Sequence, residues 1–413
     1  MRSRFDLGAW LFPLGAWAAV LAGCASTEPP LVERARDAAA ETGAGGREAG
    51  ASDAAPRDAS SELESDAPPP DAASSPVRVG VLPGARVADD AGVTPANELA
   101  GVLDVIALGS RAVTVERRWR ELFDASLAPR EDEWRRLTAT GRLLAESQRK
   151  LVFSLALVDG ALDARPDGLG SWGSVETRAA AERLIDRALT SFGAELAYLE
   201  LGSELDRSLR LASPGERAEL IALFAHLVEY ARAAPALPPG VAVGVGATLD
   251  GLVADSPPGL VALARRGDVA MASYFPMGQD FSARAPGTAS SDLSALSAAL
   301  RGADAAPFPI VLARVGYPSA GAAAGSEERQ RAFLDDLFKT LALRRADYPV
   351  VVVDALDDAP PALCAERALA LGAAPGDEAA EAFACSLGLR RADGSARPAL
   401  ASVIGGLASF MSP

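Results

Sequence analysis

From residue 77 onward, short apolar runs alternate with longer amphipathic segments, and the alternation recurs eight times. The runs cover residues 77–82, 112–115, 151–158, 196–201, 241–247, 269–274, 310–315 and 350–356. Each is rich in Val, Leu, Ile or Ala, as strands covered on both faces by helices must be. Strand and helix in such alternation imply a parallel sheet with crossover helices. Eight units predict an α/β fold, a (β/α)8 TIM barrel occupying residues 77–407 as one domain. The competing architecture is an open doubly wound sheet. No Gly-x-Gly-x-x-Gly loop follows the first run, so dinucleotide binding has little support.

The segments between the runs carry helix signals of their own. Ser213-Pro214-Gly215-Glu216 supplies an N-cap serine, a proline at the first helical position and a glutamate at the third, which is a capping box. Leu220, Phe224, Leu227, Val228 and Ala231 then fall on one face at helical spacing. Ser326 followed by Glu327 and Glu328 caps another helix, with acids at the positive end of its dipole.

The first 76 residues are of a different kind. Arg2 and Arg4 precede an apolar stretch over 7–20, the pattern of an export signal; the stretch is shorter than the roughly 20 residues that a membrane span needs. Leu21-Ala22-Gly23-Cys24 follows, and it resembles the lipobox of bacterial lipoproteins. The resemblance implies a signal peptide over residues 1–23 and a diacylglycerol on the Cys24 thiol, which together tie the protein to a membrane through lipid. Neither Ala25 nor Ser26 is aspartate, which in a Gram-negative envelope points to the outer membrane or cell surface rather than the inner membrane. Residues 27–76 hold no aromatic side chain and few apolar ones beyond alanine. Such a stretch cannot bury enough surface to offset its ordering entropy, so 24–76 is expected to be a disordered tether.

Residues 27–76 carry 11 acids and 4 bases, a net −7 out of the chain's −15, so the overall acidity says little about the folded part's ligand. No basic stripe interrupts the sequence, which argues against nucleic acid as a partner. Of the three cysteines the lipid consumes one. Cys364 and Cys385 remain as an expected disulfide in an oxidising compartment, with two buried free thiols as the alternative.

In a (β/α)8 barrel the functional side chains sit at the carboxyl ends of the strands. The fourth run continues Glu200-Leu201-Gly202-Ser203-Glu204, which resembles the Glu-x-Gly-Asn-Glu segment of clan A glycoside hydrolases. That resemblance implies that Glu204 is the general acid/base and Glu200 the upstream glutamate, with Ser203 in place of the sugar-binding asparagine. The seventh run ends Arg314-Val315-Gly316-Tyr317-Pro318-Ser319, similar to the Glu-x-Gly-Trp/Tyr-Pro-Ser segment that carries the nucleophile in several of these families. Arg314 stands where the nucleophilic glutamate belongs. The sixth run ends Tyr274-Phe275-Pro276, like the family's aromatic-Tyr-Pro ending, which implies that Tyr274 lines the sugar site. The stretch from Leu387-Gly388-Leu389 to Asp393-Gly394-Ser395-Ala396-Arg397-Pro398-Ala399 resembles the family's tail after the eighth strand.

Retaining hydrolysis needs two carboxyl groups about 5–5.5 Å apart, one attacking the sugar and one protonating the leaving oxygen. Arginine can do neither, because it stays protonated. A direct Arg314–Glu204 ion pair across the pocket mouth is therefore expected, with Glu200 or Asp354 as alternative partners of the guanidinium. An inverting mechanism would instead recruit Glu116, Asp159, Asp354, Asp357 or Asp358 opposite Glu204. Trp119, Trp172, Tyr274, Phe275 and Tyr317 lie at or just after run ends, where flat faces could stack on sugars or close the barrel top. The only histidine, His226, falls off the apolar face of its helix, which leaves a Ser-His-Asp triad or a zinc site without support; no metal or cofactor is expected. The resemblances together imply a surface lipoprotein with a glycoside hydrolase-like barrel that binds carbohydrate with lost or weak catalysis. The alternatives are an active hydrolase using Glu204 with a displaced carboxylate, and an envelope scaffold without a sugar ligand.

Overall fold

The computed structural model describes residues 77–84, 94–301 and 306–410, so the expected signal peptide over 1–23, Cys24 and the expected tether over 24–76 lie outside the described residues. Eight strands, β1 (Arg78–Val81), β2 (Ala112–Arg118), β3 (Lys150–Asp159), β4 (Leu196–Ser203), β5 (Ala242–Thr248), β6 (Ala270–Tyr274), β7 (Ile310–Val315) and β8 (Val350–Val353), fall on the eight apolar runs. Each pairs in parallel with the next, and β8 pairs back onto β1 with Arg78 opposite Val350, which closes a (β/α)8 barrel. β2 and β3 run beyond the expected ends, because Glu116, Arg117 and Arg118 continue the ladder against Ser154, Leu155 and Ala156. β8 is shorter than expected and leaves the sheet at Asp354.

Apart from short helical turns at Trp119–Leu122 and Leu205–Leu211, the α-helices are α1 (Pro95–Ala107), α2 (Glu131–Glu146), α3 (Val175–Ser191), α4 (Pro214–Ala233), α5 (Leu249–Ala254), α6 (Leu260–Ala264), α7 (Ala289–Leu300), α8 (Glu327–Leu343), α9 (Pro361–Ala370), α10 (Glu378–Cys385) and α11 (Pro398–Ser409) among the described residues. Ser213 and Glu216 form the capping box that starts α4, and the helix buries Leu220, Phe224, Leu227, Val228 and Ala231. Ser326 caps α8 in the same way, accepting from the Arg329 N–H. The crossover from β5 to β6 is broken into α5 and α6 by Pro257 and Pro258, which cannot continue a helix.

Alternation along the strands divides the core in two. Leu151, Phe153 and Leu155 of β3 face the helix layer, while Val152 points into the barrel beside Tyr198, Met271, Val311 and Val352. The barrel is therefore plugged by side chains, and a cavity opens at the carboxyl end of the strands.

That end is roofed in part by α9 and α10, which the Cys364–Cys385 disulfide ties together with Cα atoms 5.0 Å apart and 21 residues between them in sequence. The expected pairing is thus formed. Closing a loop of that length restricts the unfolded chain by about 3 kcal/mol. The double variant Cys364→Ser/Cys385→Ser is expected to lose that much in urea unfolding, and a loss below about 1 kcal/mol would show that the roof is held by packing alone.

Candidate functional site

A cavity of about 750 Å³ opens at the carboxyl ends of the strands, and Glu116, Arg118, Asp159, Glu204, Phe275 and Arg314 all line it. Helices α1, α9 and α10 supply its rim through Glu98, Arg367 and Phe383. The end of β2 lines the cavity from Thr114 through Arg118, with Glu116 and Arg118 on one face of the strand.

Arg314, near the end of β7, is held from two sides. Its Nε and Nη2 donate to Asp354 Oδ2 at 3.0 and 2.9 Å, and its Nη1 lies 3.4 Å from Glu116 Oε2. Ser203 Oγ donates to the same Glu116 oxygen at 3.0 Å. The guanidinium also sits 5.6 Å from the Phe275 ring centroid. Burial opposes its charge, but Asp354 first and Glu116 next hold it cationic well beyond the usual arginine range. Asp354 is wholly buried; burial pushes its carboxyl up, yet Arg314 and then Arg367 outweigh this and hold it below the usual carboxylate range. Glu116 goes the other way, pushed up by burial more than Arg314 draws it down.

Glu204 follows β4 in a left-handed backbone turn, φ 48° and ψ 46°, which few residues other than glycine adopt. The turn begins a short helix, Leu205–Leu211, whose Arg207 folds back onto the Glu204 carboxylate; the other oxygen accepts from Ser273 Oγ of β6 at 2.8 Å. Burial raises this carboxyl, but Arg207 and then Arg314 prevail and hold it below the usual range. It is ionised at neutral pH, whereas an acid catalyst must be protonated.

The expected Arg314–Glu204 ion pair is thus not the contact formed. β8 neighbours β7, so the Asp354 carboxylate lies beside the guanidinium, while the turn at Glu204 delivers its carboxylate to Arg207. Of the two alternative partners, Asp354 is the one engaged.

The remaining sequence candidates divide. Ser203 and Asp354 join the Arg314 network. Glu200 lies inside the barrel and packs on Gly246 of β5, where an added Cβ would come within 2.2 Å of its Oε1. Its Oε2 has no hydrogen-bond partner among the described residues, and burial, partly offset by Ser154, pushes its pKa up to about 8.

Tyr274, Tyr317 and Trp172, expected at the sugar site, do not line the cavity. Ser273 faces Glu204, so its neighbour Tyr274 points outward, packs edge-on against Phe333 and donates to Asp292 Oδ2 at 2.8 Å. Tyr317 stacks on Phe333 and donates to the Arg284 carbonyl at 2.6 Å, while Trp172 lies under the Arg165 guanidinium at 3.9 Å. Trp119 is buried core. Asp358 is clamped by Arg397 at 2.6 and 2.7 Å, and Asp357 lies 3.7 Å from Arg390. His226 is half-exposed and meets Glu182 at 2.6 Å.

Sequence reasoning missed Arg118, whose Nη2 is 2.6 Å from Asp159 Oδ2 and which also binds Glu366, and it missed Arg207 and Ser273. Arg118 stands two residues after Glu116 and Arg207 three after Glu204, so strand and helix spacing carried both signals. Glu366 had none, because it reaches the cavity from α9. Among the described residues no group of three or more His, Cys, Asp or Glu is placed to hold a metal ion.

No family model matches this chain, and no curated protein matches it. Its fold is similar to several solved structures. GH5_18 from Streptomyces cattleya, in a complex with GlcNAc, superposes with a TM-score of 0.61 at 15% identity over 82% of each chain. GH5_18 from Bifidobacterium longum subsp. longum ATCC 55813 gives 0.62 at 17% identity over 82% of this chain and 80% of that one. The exo-beta-1,4-mannosidase Op5Man5 from Opitutaceae bacterium strain TAV5 gives 0.60 at 18% identity over 82% of this chain and 60% of that one. At such identities the likeness is one of fold: the chain has a glycoside hydrolase-like (β/α)8 barrel.

Proposed function

We propose that this chain is a lipid-anchored envelope protein whose barrel binds carbohydrate at the strand-end cavity and does not cleave it by the retaining route. The observation that carries the reading is Arg314, a buried cation held by Asp354 and Glu116 at the position where the resemblance calls for an attacking carboxylate. A positive charge there opposes the cationic character that the sugar develops in the transition state, and it helps keep Glu204 ionised. The sugar-binding half of the reading is supported by the barrel's likeness to GH5_18 of Streptomyces cattleya and of Bifidobacterium longum, both known in complex with Manb1-4GlcNAc. It is also supported by a cavity of about 750 Å³, within the size range of small-ligand sites.

The test is calorimetric titration of Manb1-4GlcNAc and β-linked manno- and gluco-oligosaccharides, alongside assays for released reducing sugar. Binding without hydrolysis is the expected result. Hydrolysis by the wild type that Glu204→Gln abolishes would overturn the non-catalytic part, and absence of binding across a glycan array would favour a scaffold. A second reading, hydrolysis through a displaced carboxylate, is favoured by Glu116, which lines the same cavity and which burial pushes toward the protonated form. In that case Glu116→Gln removes the activity as well as Glu204→Gln.

A further inference from the structure

The opposite end of the barrel, where the strands begin, carries charge of the other sign. Four neighbouring strands start there: β8, β1, β2 and β3, joined by Arg78 opposite Val350 and Ala112 opposite Lys150. Around these starts stand Arg78, Arg111, Arg149, Lys150 and Arg345, and none has a carboxylate within ion-pair distance among the described residues. Arg78 is half-buried, and Arg345 rests on Phe410 with 5.0 Å to the ring centroid. Lys150 Nζ donates to the Ala194 carbonyl at 2.8 Å, and Arg111 is exposed. Burial and then the Arg111 charge push Arg149 down, as expected for cations packed together without compensation. Of the carboxylates at the same end, Glu195 accepts from the Gly193 N–H, Asp347 accepts from Ser297 Oγ and lies 3.7 Å from Arg344, and Glu146 at the end of α2 is exposed. Leu343, the last residue of α8, is 89% exposed beside this patch.

The cavity end has the reverse balance, nine carboxylates against five arginines among its lining residues. The barrel is therefore polarised along its axis within a chain of net charge −15. Such a molecule is repelled by an anionic surface in every orientation but one, with the strand starts leading. The chain also enters β1 at this end, through Val77, so whatever holds residues 1–76 pulls on this same face.

We propose that the strand-start face rests on a lipid surface bearing anionic headgroups, with Arg78, Arg111, Arg149, Lys150 and Arg345 as the contact and Leu343 at its edge. The cavity then opens away from the membrane. The inference takes from the proposed lipid anchor only its setting, since the contact forms through the side chains of the barrel base and does not require acylation of Cys24.

The test is flotation of the full chain carrying Cys24→Ala, which cannot be acylated, on vesicles of phosphatidylcholine with 0 to about 40% phosphatidylglycerol. The leader is common to all variants and cancels between them. Partitioning is expected to rise with the phosphatidylglycerol fraction and to collapse in 0.5 M NaCl, about the regime where exposed charges are screened within a few ångströms. At about 1 kcal/mol for each basic residue near the surface, Arg111→Gln/Lys150→Gln is expected to weaken binding about thirtyfold. The control Arg178→Gln/Arg183→Gln on α3 removes as much charge from the helix ring and is expected to stay within about twofold. Partitioning that ignores phosphatidylglycerol and salt overturns the proposal, as does equal weakening by both double variants. Retention on duplex DNA without vesicle binding also overturns it, as does salt-sensitive shielding of Arg111 and Lys150 by the acidic 27–76 stretch without dependence on phosphatidylglycerol. Failure of Cys24 acylation, read separately from the mass of the exported protein, would leave the vesicle result standing.

Discussion

Arg314→Met is expected to destabilise the barrel by about 3–5 kcal/mol, because it strands Asp354 as a buried carboxylate without its main counter-ion. Asp354 has no exposed surface, and its remaining cation, Arg367, stands at 3.8 Å. Removing both charges is another matter: a buried pair exchanged for apolar groups of similar size is often neutral. Arg314→Met/Asp354→Leu should therefore recover most of the loss. Urea unfolding of the two single variants and the double variant measures this directly, and a single-variant cost below about 1 kcal/mol would mean that the pair is solvated. The same argument governs attempts to restore an attacking acid. Arg314→Glu alone would add a third carboxylate beside Asp354 and Glu116, so a folded, testable enzyme also needs Asp354→Asn.

Glu200 gives the second large effect. Its pKa is pushed up to about 8 by burial, so the folded barrel holds it protonated at neutral pH, while in the unfolded chain it ionises near the ordinary value. A raised folded pKa contributes stability in full below the unfolded value and loses it as pH climbs toward the folded one. At about 1.4 kcal/mol per pH unit, the barrel is expected to lose roughly 3–5 kcal/mol between about pH 5 and pH 8 through this group, with Glu116 acting in the same direction. Asp354 and Glu204, both shifted down, have delivered their contribution above about pH 5 and do not mask the slope. Glu200→Gln mimics the protonated form. Its unfolding free energy is expected to be flatter across this window and higher than wild type at about pH 9. Parallel curves for the two proteins would place the Glu200 carboxylate in contact with water.

These two effects concern residues that the sequence singled out, but their roles came from the fold. The segment around Glu204 resembled an acid/base motif, and strand alternation puts Glu200, Gly202 and Glu204 on one side of the chain. It could not show that Glu200 is sealed against Gly246 and outside the cavity lining, because Gly246 belongs to the next strand. For Tyr274 the same alternation, applied with Ser273 as the inward residue, yields the outward side chain that the structure has; the resemblance alone suggested the opposite. Trp172 and Tyr317 lie on loops, where no periodicity tells which way a ring turns.

The eight strands, the capped helices and the barrel were legible along the chain, since apolar period and caps are local quantities that each segment carries with it, while the cysteine count left Cys364–Cys385 as an expectation that the structure fulfils. The tertiary structure alone decided which charges meet. Arg314 and Asp354 are 40 residues apart, and Arg314 and Glu116 are 198 apart, so only closure of the ring brings them together. The same closure gathers Arg78, Arg111, Arg149, Lys150 and Arg345 into one face, although no basic stripe is visible in the chain. Coulomb energy depends on separation in space, and a pattern read along the chain holds distances only between near neighbours.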